Sequence, residues 1–167
     1  MRKLVVGKQY NSKRCLVCGL ANDFGLKAAF YELDSGELLG VFSPRDEHQS
    51  YPGRLHGGIS STILDEAIGR AIMISYPGQF GVTVELSLRF KKPVPLDRQL
   101  RVISRITRDS SRFFEGTGEL LLPDGTVAVE ASGRYLKMAL EAIADFDHAE
   151  QEWRVVEGPD DPEFFEL

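Results

Sequence analysis

The segment His56-Gly57-Gly58-Ile59-Ser60-Ser61-Thr62-Ile63-Leu64-Asp65-Glu66-Ala67 runs a paired-glycine turn into a helix-forming stretch with two acids on its third turn. Glycines let other atoms approach the backbone closely. A helix start presents unpaired N–H groups at the positive end of its dipole. A carbonyl oxygen held there would be polarised, and a nearby carboxylate could activate water. These residue types in this order suit hydrolysis at a carbonyl. Glu66 stands four residues before Arg70, the favourable order for an ion pair, which is expected at the surface. Asp65 has Ser61 and Gly69 at those offsets and no local charge partner, so Asp65 is the candidate acid. The competing reading points Asp65 into solvent or has it cap a loop.

Other residues carry weaker signals. His56, Ser60, Ser61 and Asp65 make only a nominal triad, because triads are defined by geometry and these share one turn region. His56 is expected to fix the loop by hydrogen bonding, with direct proton transfer the lesser alternative. Gly57 and Gly58 serve equally as close-packing positions and as N–H donors to an oxyanion. Arg89 and Lys91-Lys92-Pro93 close a strand, either as solvated charge or as phosphate contacts. Cys15-x-x-Cys18 is half a zinc site without a second pair, and no metal is expected. A redox pair would call for a strand-then-helix setting, and none is visible. The two thiols therefore read as buried or half-buried in a loop.

The elements that must position these residues follow from periodicity. Lys27–Leu33 and Glu37–Ser43 form a hairpin across Asp34-Ser35-Gly36, and Pro44–Leu55 is a polar loop. Ile59, Ile63, Ala67, Ala71 and Ile74 recur at helical spacing, and Pro77-Gly78 ends the helix. Strands are expected over 82–90, 98–107, 112–122 and 126–137, separated by turn sequences. Short connections imply antiparallel pairing. The expected class is α+β, one central helix wrapped by an antiparallel sheet of about six strands. Residues 1–140 read as a single domain whose first 26 residues are largely irregular. Residues 141–167 read as an acidic extension, with a short helix from Met138 to about Ala149 and a solvated tail. Trp153 and Phe164-Phe165 could pin that tail, which is expected to pack outside the site and be dispensable.

Composition narrows the function classes. A hydrophobic content of 43% and a charged content of 27% are those of a soluble globular chain. No apolar run is long enough to span a bilayer, and residues 1–10 lack the apolar stretch of a signal peptide, so a cytoplasmic location is expected. Ten acids and one base lie in 141–167, a net −9, which leaves the body with 15 acids and 19 bases, a net +4. That balance suits a small anionic ligand, and no basic stripe with interleaved aromatics points to nucleic acid.

Three segments resemble the hotdog-fold thioesterases, in the branch of the phenylacetate-pathway and related acyl-CoA thioesterases. They are Cys15-Leu16-Val17-Cys18-Gly19 through Gly25-Leu26, Pro52–Gly58 with Leu64-Asp65-Glu66-Ala67, and Gly81–Leu86 with Arg89-Phe90 and Pro93-Val94. The match spans roughly residues 15–137. The resemblance implies a long helix wrapped by a curved sheet, and a homodimer with continuous sheets, often paired into a tetramer, with sites at the subunit interface. It implies an acyl-CoA substrate and no cofactor. Gly57 would polarise the thioester carbonyl, Asp65 would be general base or nucleophile, and Thr83 would come from the facing subunit. Where relatives carry an asparagine six residues before the histidine, this chain has Ser50, beside Gln49 and His48, either of which could substitute. His56, Gly58, Gln49, Ser50, Thr83, Arg89 and Lys91 complete the expected substrate contacts. Some hotdog proteins bind acyl ligands without hydrolysing them, which is the alternative function, and a hotdog dehydratase using His56 is the third.

Overall fold

The apolar stripe starting at Ile59 folds as helix α1 (Gly57–Ser75), capped by His56 and ended at Tyr76. The residue before a proline is pushed out of the helical region, and Tyr76, before Pro77, sits at φ −134°, ψ 80°. The structure, a computed structural model, describes residues 1–145 and 147–167. Strands β1 (Arg2–Lys8), β2 (Ala29–Leu33) and β3 (Leu38–Phe42) precede α1. Strands β4 (Gln79–Phe90), β5 (Leu100–Asp109), β6 (Phe113–Leu121) and β7 (Val127–Ala139), the short helix α2 (Leu140–Ile143) and strand β8 (Phe164–Glu166) follow it.

All neighbouring strands pair antiparallel in one sheet of order β4-β7-β6-β5-β3-β2-β1-β8. The sheet has eight strands rather than six. The two additional ones are β1 and β8, which pair with each other from opposite ends of the chain. Leu4 and Val6 of β1 are exposed, so its alternation does not mark a buried face. The expected helix from Met138 to about Ala149 is limited to Leu140–Ile143, and Phe146 of that stretch lies outside the described residues. Among the described residues no helix is long and apolar enough to cross a membrane.

The helix touches β3, β5, β6, β7 and β4, five neighbouring strands. Strands lie about 4.8 Å apart, so the sheet must curl for all five to reach one helix. Ile63, Leu64, Ala67, Ile68, Ala71 and Ile72 are buried in the concavity with Phe30, Leu38, Leu100, Phe114 and Tyr135. The helix sits unusually low at two glycines. A Cβ on Gly81 would lie 2.6 Å from the Phe114 ring and 2.9 Å from the Gly69 carbonyl. One on Gly116 would lie 2.7 Å from Ile68 Cγ2 and 2.9 Å from the Arg105 carbonyl.

The C-terminal segment is bound to the body at several points. Asn11 and Arg154 form an antiparallel bridge, and the Trp153 ring stacks on Tyr10 at 5.6 Å. Asp161 accepts hydrogen bonds from Lys8 Nζ (2.6 Å) and the Tyr31 hydroxyl (2.8 Å). Phe165 is buried in a second cluster with Tyr31, Leu33, Leu39 and Ile103. Trp153 and Phe165 thus pin the extension, as expected, but the extension is not a free tail.

Two outcomes follow. Gly81→Ala should destabilise the fold by about 1–3 kcal/mol, the usual range for overpacking, read as a lower urea midpoint at unchanged m-value. Truncation after Glu150 removes Trp153 and β8, and should cost at least about 2 kcal/mol, the burial of one phenylalanine. A truncated chain with wild-type unfolding would show the extension to be energetically idle.

Candidate active site

At the start of α1 the backbone donors are divided between cap and ligand. His56 Nδ1 accepts the Gly58 N–H at 2.8 Å, which makes the neutral ring the Nε2–H tautomer. The His56 carbonyl accepts from Ile59 (3.0 Å) and Ser60 (3.1 Å). Gly57 N–H has no acceptor among the described residues. It is half-buried, and a Cβ at Gly57 would sit 3.5 Å from the Phe90 ring. His56 is therefore the cap, Gly58 is consumed by it, and Gly57 is the donor left for a ligand.

The upstream loop is held by its own side chains. His48 is buried, its Nδ1 accepting from Arg45 N–H (2.9 Å) and its Nε2 2.8 Å from the Phe24 carbonyl. Gln49 Oε1 accepts the Gly53 N–H at 2.8 Å. His48 is thus enclosed by the loop, whereas Gln49 is exposed and its amide nitrogen has no partner among the described residues. Ser50 is exposed, and its hydroxyl has no partner among the described residues.

Asp65 lies two turns further on and half-buried. Its Oδ1 accepts from the Thr83 hydroxyl at 2.8 Å and from the Tyr135 hydroxyl at 3.0 Å. Oδ2 has no partner among the described residues. Thr83 reaches Asp65 of its own chain, whereas the resemblance placed it on a facing subunit. Tyr135 was not visible as a site residue in the sequence. It is fully buried and stacked on Phe114 at 5.1 Å. Burial, and then the Asp65 charge, push its phenol well above the usual range, so it stays a proton donor. The usable signal was chemical: a tyrosine buried in a strand must find a partner for its hydroxyl.

Glu66 and Arg70 do pair, at 2.7 Å, but not at the surface. Arg70 is 5% exposed. Its Nη1 donates to the Tyr10 carbonyl at 3.0 Å, Nη2 lies 3.0 Å from Cys18 Sγ, and the guanidinium faces the rings of Phe30 and Trp153. A recess of about 110 Å³ opens beside Asp65, lined by Glu66, Arg70, Phe80, Thr83 and Trp153 among others. The C-terminal extension, expected outside the site, thus contributes a wall of it through Trp153.

The expected residues divide between two places. Eight residues separate Gly57 from Asp65, about 12 Å along the axis. Phe90 lies against Gly57, so Arg89 and Lys91 lie at the Gly57 end of the chain's β4 segment, with the Arg89 side chain on the opposite face of the strand from Phe90. Lys91 is paired with Glu130, and Arg89 is exposed.

Comparison with known proteins identifies the family and the fold. The family model described as thioesterase superfamily matches residues 52–137, which hold both Gly57 and Asp65. The acyl-coenzyme A thioesterase THEM4 of Bos taurus is 26% identical over 138 residues, covering 81% of this chain and 56% of that protein. The chain thus spans little more than half the length of this relative. The crystal structure of a thioesterase superfamily protein superposes with a TM-score of 0.67 at 28% identity, over 73% of this chain and 59% of the other. The PaaI protein of the E. coli phenylacetic acid degradation operon shares the fold, with a TM-score of 0.62 at 14% identity over 68% of this chain and 81% of its own. With its helix-in-sheet hotdog architecture and the family's segment spanning the helix start, the anchored aspartate and the strand behind them, the chain belongs to the thioesterase superfamily.

Proposed function

We propose that the protein hydrolyses acyl-CoA thioesters, with Asp65 as general base and the Gly57 N–H as oxyanion donor. The observation that carries this is the Asp65 carboxylate, with one oxygen tied by Thr83 and Tyr135 and the other without a partner. Water attacks the carbonyl carbon and gives its proton to the unpartnered oxygen. The oxyanion that forms is held by the Gly57 N–H. Collapse breaks the carbon–sulfur bond, and the leaving thiolate takes the proton back from Asp65. The products are a carboxylic acid and free CoA. The names of relatives such as THEM4 support the substrate class. In this reading the exposed Arg89, near the Gly57 end of β4, meets the phosphates of CoA.

One carbonyl group cannot reach two groups about 12 Å apart on one helix, since donor and base must each lie about 3 Å from the reacting atoms. The site we propose therefore combines Gly57 of one copy with Asp65 of another. The support is strand β4. It is an outer strand of the sheet, twelve residues long, with Val84 and Phe90 exposed by 56% and 54%. Thr83, bonded to Asp65, and Phe90, beside Gly57, stand at opposite ends of its outer stretch. Antiparallel pairing of β4 with its own copy sets the Gly57 end of one chain against the Asp65 end of the other, twice per dimer.

A second reading, acyl-CoA binding without turnover, draws on the loop, where Gln49 is committed to Gly53 and Ser50 is exposed. Release of free CoA, followed with a thiol reagent over short, long and aromatic acyl chains, separates the two. Hydrolysis predicts release by the wild type, and a loss of about 10²–10⁴-fold in Asp65→Asn with the fold intact. Saturable binding without release would establish the second reading.

The shared site has a sharper test in Gly57→Pro. Proline is well tolerated at the first helical position, and His56, at φ −64° and ψ 135°, already has the conformation a following proline requires. The variant deletes the N–H and adds a ring whose Cβ meets Phe90 at an ordinary 3.5 Å, and it should lose about 10²–10³-fold in kcat. Mixing it with Asp65→Asn under subunit exchange should restore about a quarter of wild-type activity, because each mixed dimer regains one of two sites. No recovery on mixing, with mixed dimers demonstrated by mass, would place both groups in one chain's site.

A further inference from the structure

The proposed hydrolysis makes no use of Cys15 and Cys18. They stand in one closed turn, in which the Gly19 N–H donates to the Cys15 carbonyl at 2.9 Å. Their two sulfurs and a Glu66 carboxylate oxygen all lie within 4.8 Å of one another. Cys18 is fully buried, and Cys15 is half-buried. Val17 N–H donates to Cys15 Sγ at 3.3 Å, and Ser12 Oγ lies 3.5 Å from Cys18 Sγ. Arg70 decides how to read the cluster. Its Nη2 lies 3.0 Å from Cys18 Sγ and its Nε 2.7 Å from Glu66 Oε1. A metal cation would have to sit beside that guanidinium and compete with it for two of its three ligands. A thiolate, by contrast, is what a buried guanidinium matches.

We propose that Cys15 and Cys18 are a reversible dithiol–disulfide pair, oxidised by low-molecular-weight disulfides through a mixed disulfide on Cys15. The turn keeps the two residues within the span a disulfide requires. A hydrogen bond from the Cys15 thiol, with the Arg70 guanidinium, draws Cys18 down to about 7. Giving that bond, and being buried, pushes Cys15 up, so the reduced pair holds one shared proton. With that proton on Cys18, the Cys15 thiolate attacks one sulfur of glutathione disulfide. A bond to glutathione forms, the reagent's S–S bond breaks, and one glutathione thiolate leaves and is protonated by solvent. Cys18 then gives its proton to solvent, and its thiolate, beside Arg70, attacks Cys15 Sγ. The Cys15–Cys18 bond forms, and the second glutathione thiolate leaves and is protonated by solvent. In sum the two cysteine sulfurs lose two electrons, one proton is drawn from solvent, and one glutathione disulfide becomes two thiols.

The inference does not rest on the hydrolytic reading. Its link to the recess is Arg70, which loses a charged partner on oxidation while still facing Glu66 and Trp153.

The test uses the full chain equilibrated in glutathione buffers of graded ratio, acid-quenched, alkylated and weighed. Two alkylated cysteines are expected at the reducing end, and none at the oxidising end, where the protein is lighter by two hydrogens and carries no adduct. The emission of Trp153, the single tryptophan, should shift with the same midpoint. Cys18→Ser should accumulate the mixed disulfide on Cys15, and Cys15→Ser should leave Cys18 unmodified while folded. Two thiols that remain alkylatable in glutathione disulfide, with the wild-type fold intact by circular dichroism, would overturn the proposal. So would a stoichiometric zinc ion held by the reduced wild type and lost in both variants. A wild type that oxidises while Cys18→Ser gains no adduct would overturn the route through Cys15.

Discussion

The contact on which the rest of the site depends is that between α1 and β4, where Gly69 and Gly81 meet backbone to backbone. Helices and sheets ordinarily stand about 10 Å apart, with side chains between. Two glycines facing each other remove that layer locally. The helix therefore rests against the sheet on the turn that follows Asp65. A hydroxyl as short as that of Thr83 then reaches the carboxylate from the strand. From β7, the neighbour of β4, the longer side chain of Tyr135 reaches the same oxygen. With a larger residue at Gly81, whose Cβ would lie 2.9 Å from the Gly69 carbonyl, these hydrogen bonds would lengthen together. The site is built by closeness of backbone, and its polar groups are short for that reason.

Arg70 is the second organising element. It brings together parts of the chain that are distant in sequence: Tyr10 and Cys18 before the helix, Glu66 within it, and Trp153 near the end. A buried guanidinium left without acceptors costs several kcal/mol, so each of these contacts is needed. The N-terminal loop and the C-terminal extension are thereby fixed against the helix beside Asp65. This explains why an acidic extension that reads as dispensable in sequence closes one side of the recess. Asp161 is paired with Lys8, and Trp153 and Phe165 do the packing.

Much of the architecture was legible because it is written in local patterns. The 3.6-residue stripe from Ile59 to Ile74 gave the helix, and period-two alternation with turn residues gave β2 to β7 to within a few residues. Strands β1 and β8 escaped because their pairing is with each other, across nearly the whole chain, and because two apolar residues of β1, Leu4 and Val6, are exposed while Val5 alone packs inward. In the candidate site, Glu66 pairs with Arg70 as their spacing implied and Asp65 has no cation beside it among the described residues, but what read as a surface pair is a buried clamp. Spacing of four residues states that two side chains meet; it says nothing of which way that face of the helix points. Tyr135 lies 70 residues from Asp65, and no local pattern reports such a contact.

Asp65 and Glu66 show how neighbouring carboxylates on one helix acquire different work. They project about 100° apart, one toward Thr83 and Tyr135, the other toward Arg70. Glu66 Oε1 is committed to a cation and serves structure. Asp65 is held by two neutral hydroxyls, which orient a carboxylate without adding a counter-charge. Both hydroxyls bond the same oxygen, so the other is left to a water or a substrate. A base must be rigid and also unoccupied, and this arrangement meets both demands on one carboxylate. The helix start, two turns away, is prepared in the same manner. His56 takes the Gly58 N–H and leaves that of Gly57. Each end of the segment thus holds one group fixed and one group open, at a spacing too long for a single carbonyl. In the shared site proposed above, an outer strand of twelve residues runs between the two open groups, and a copy of it turned end for end would set them face to face.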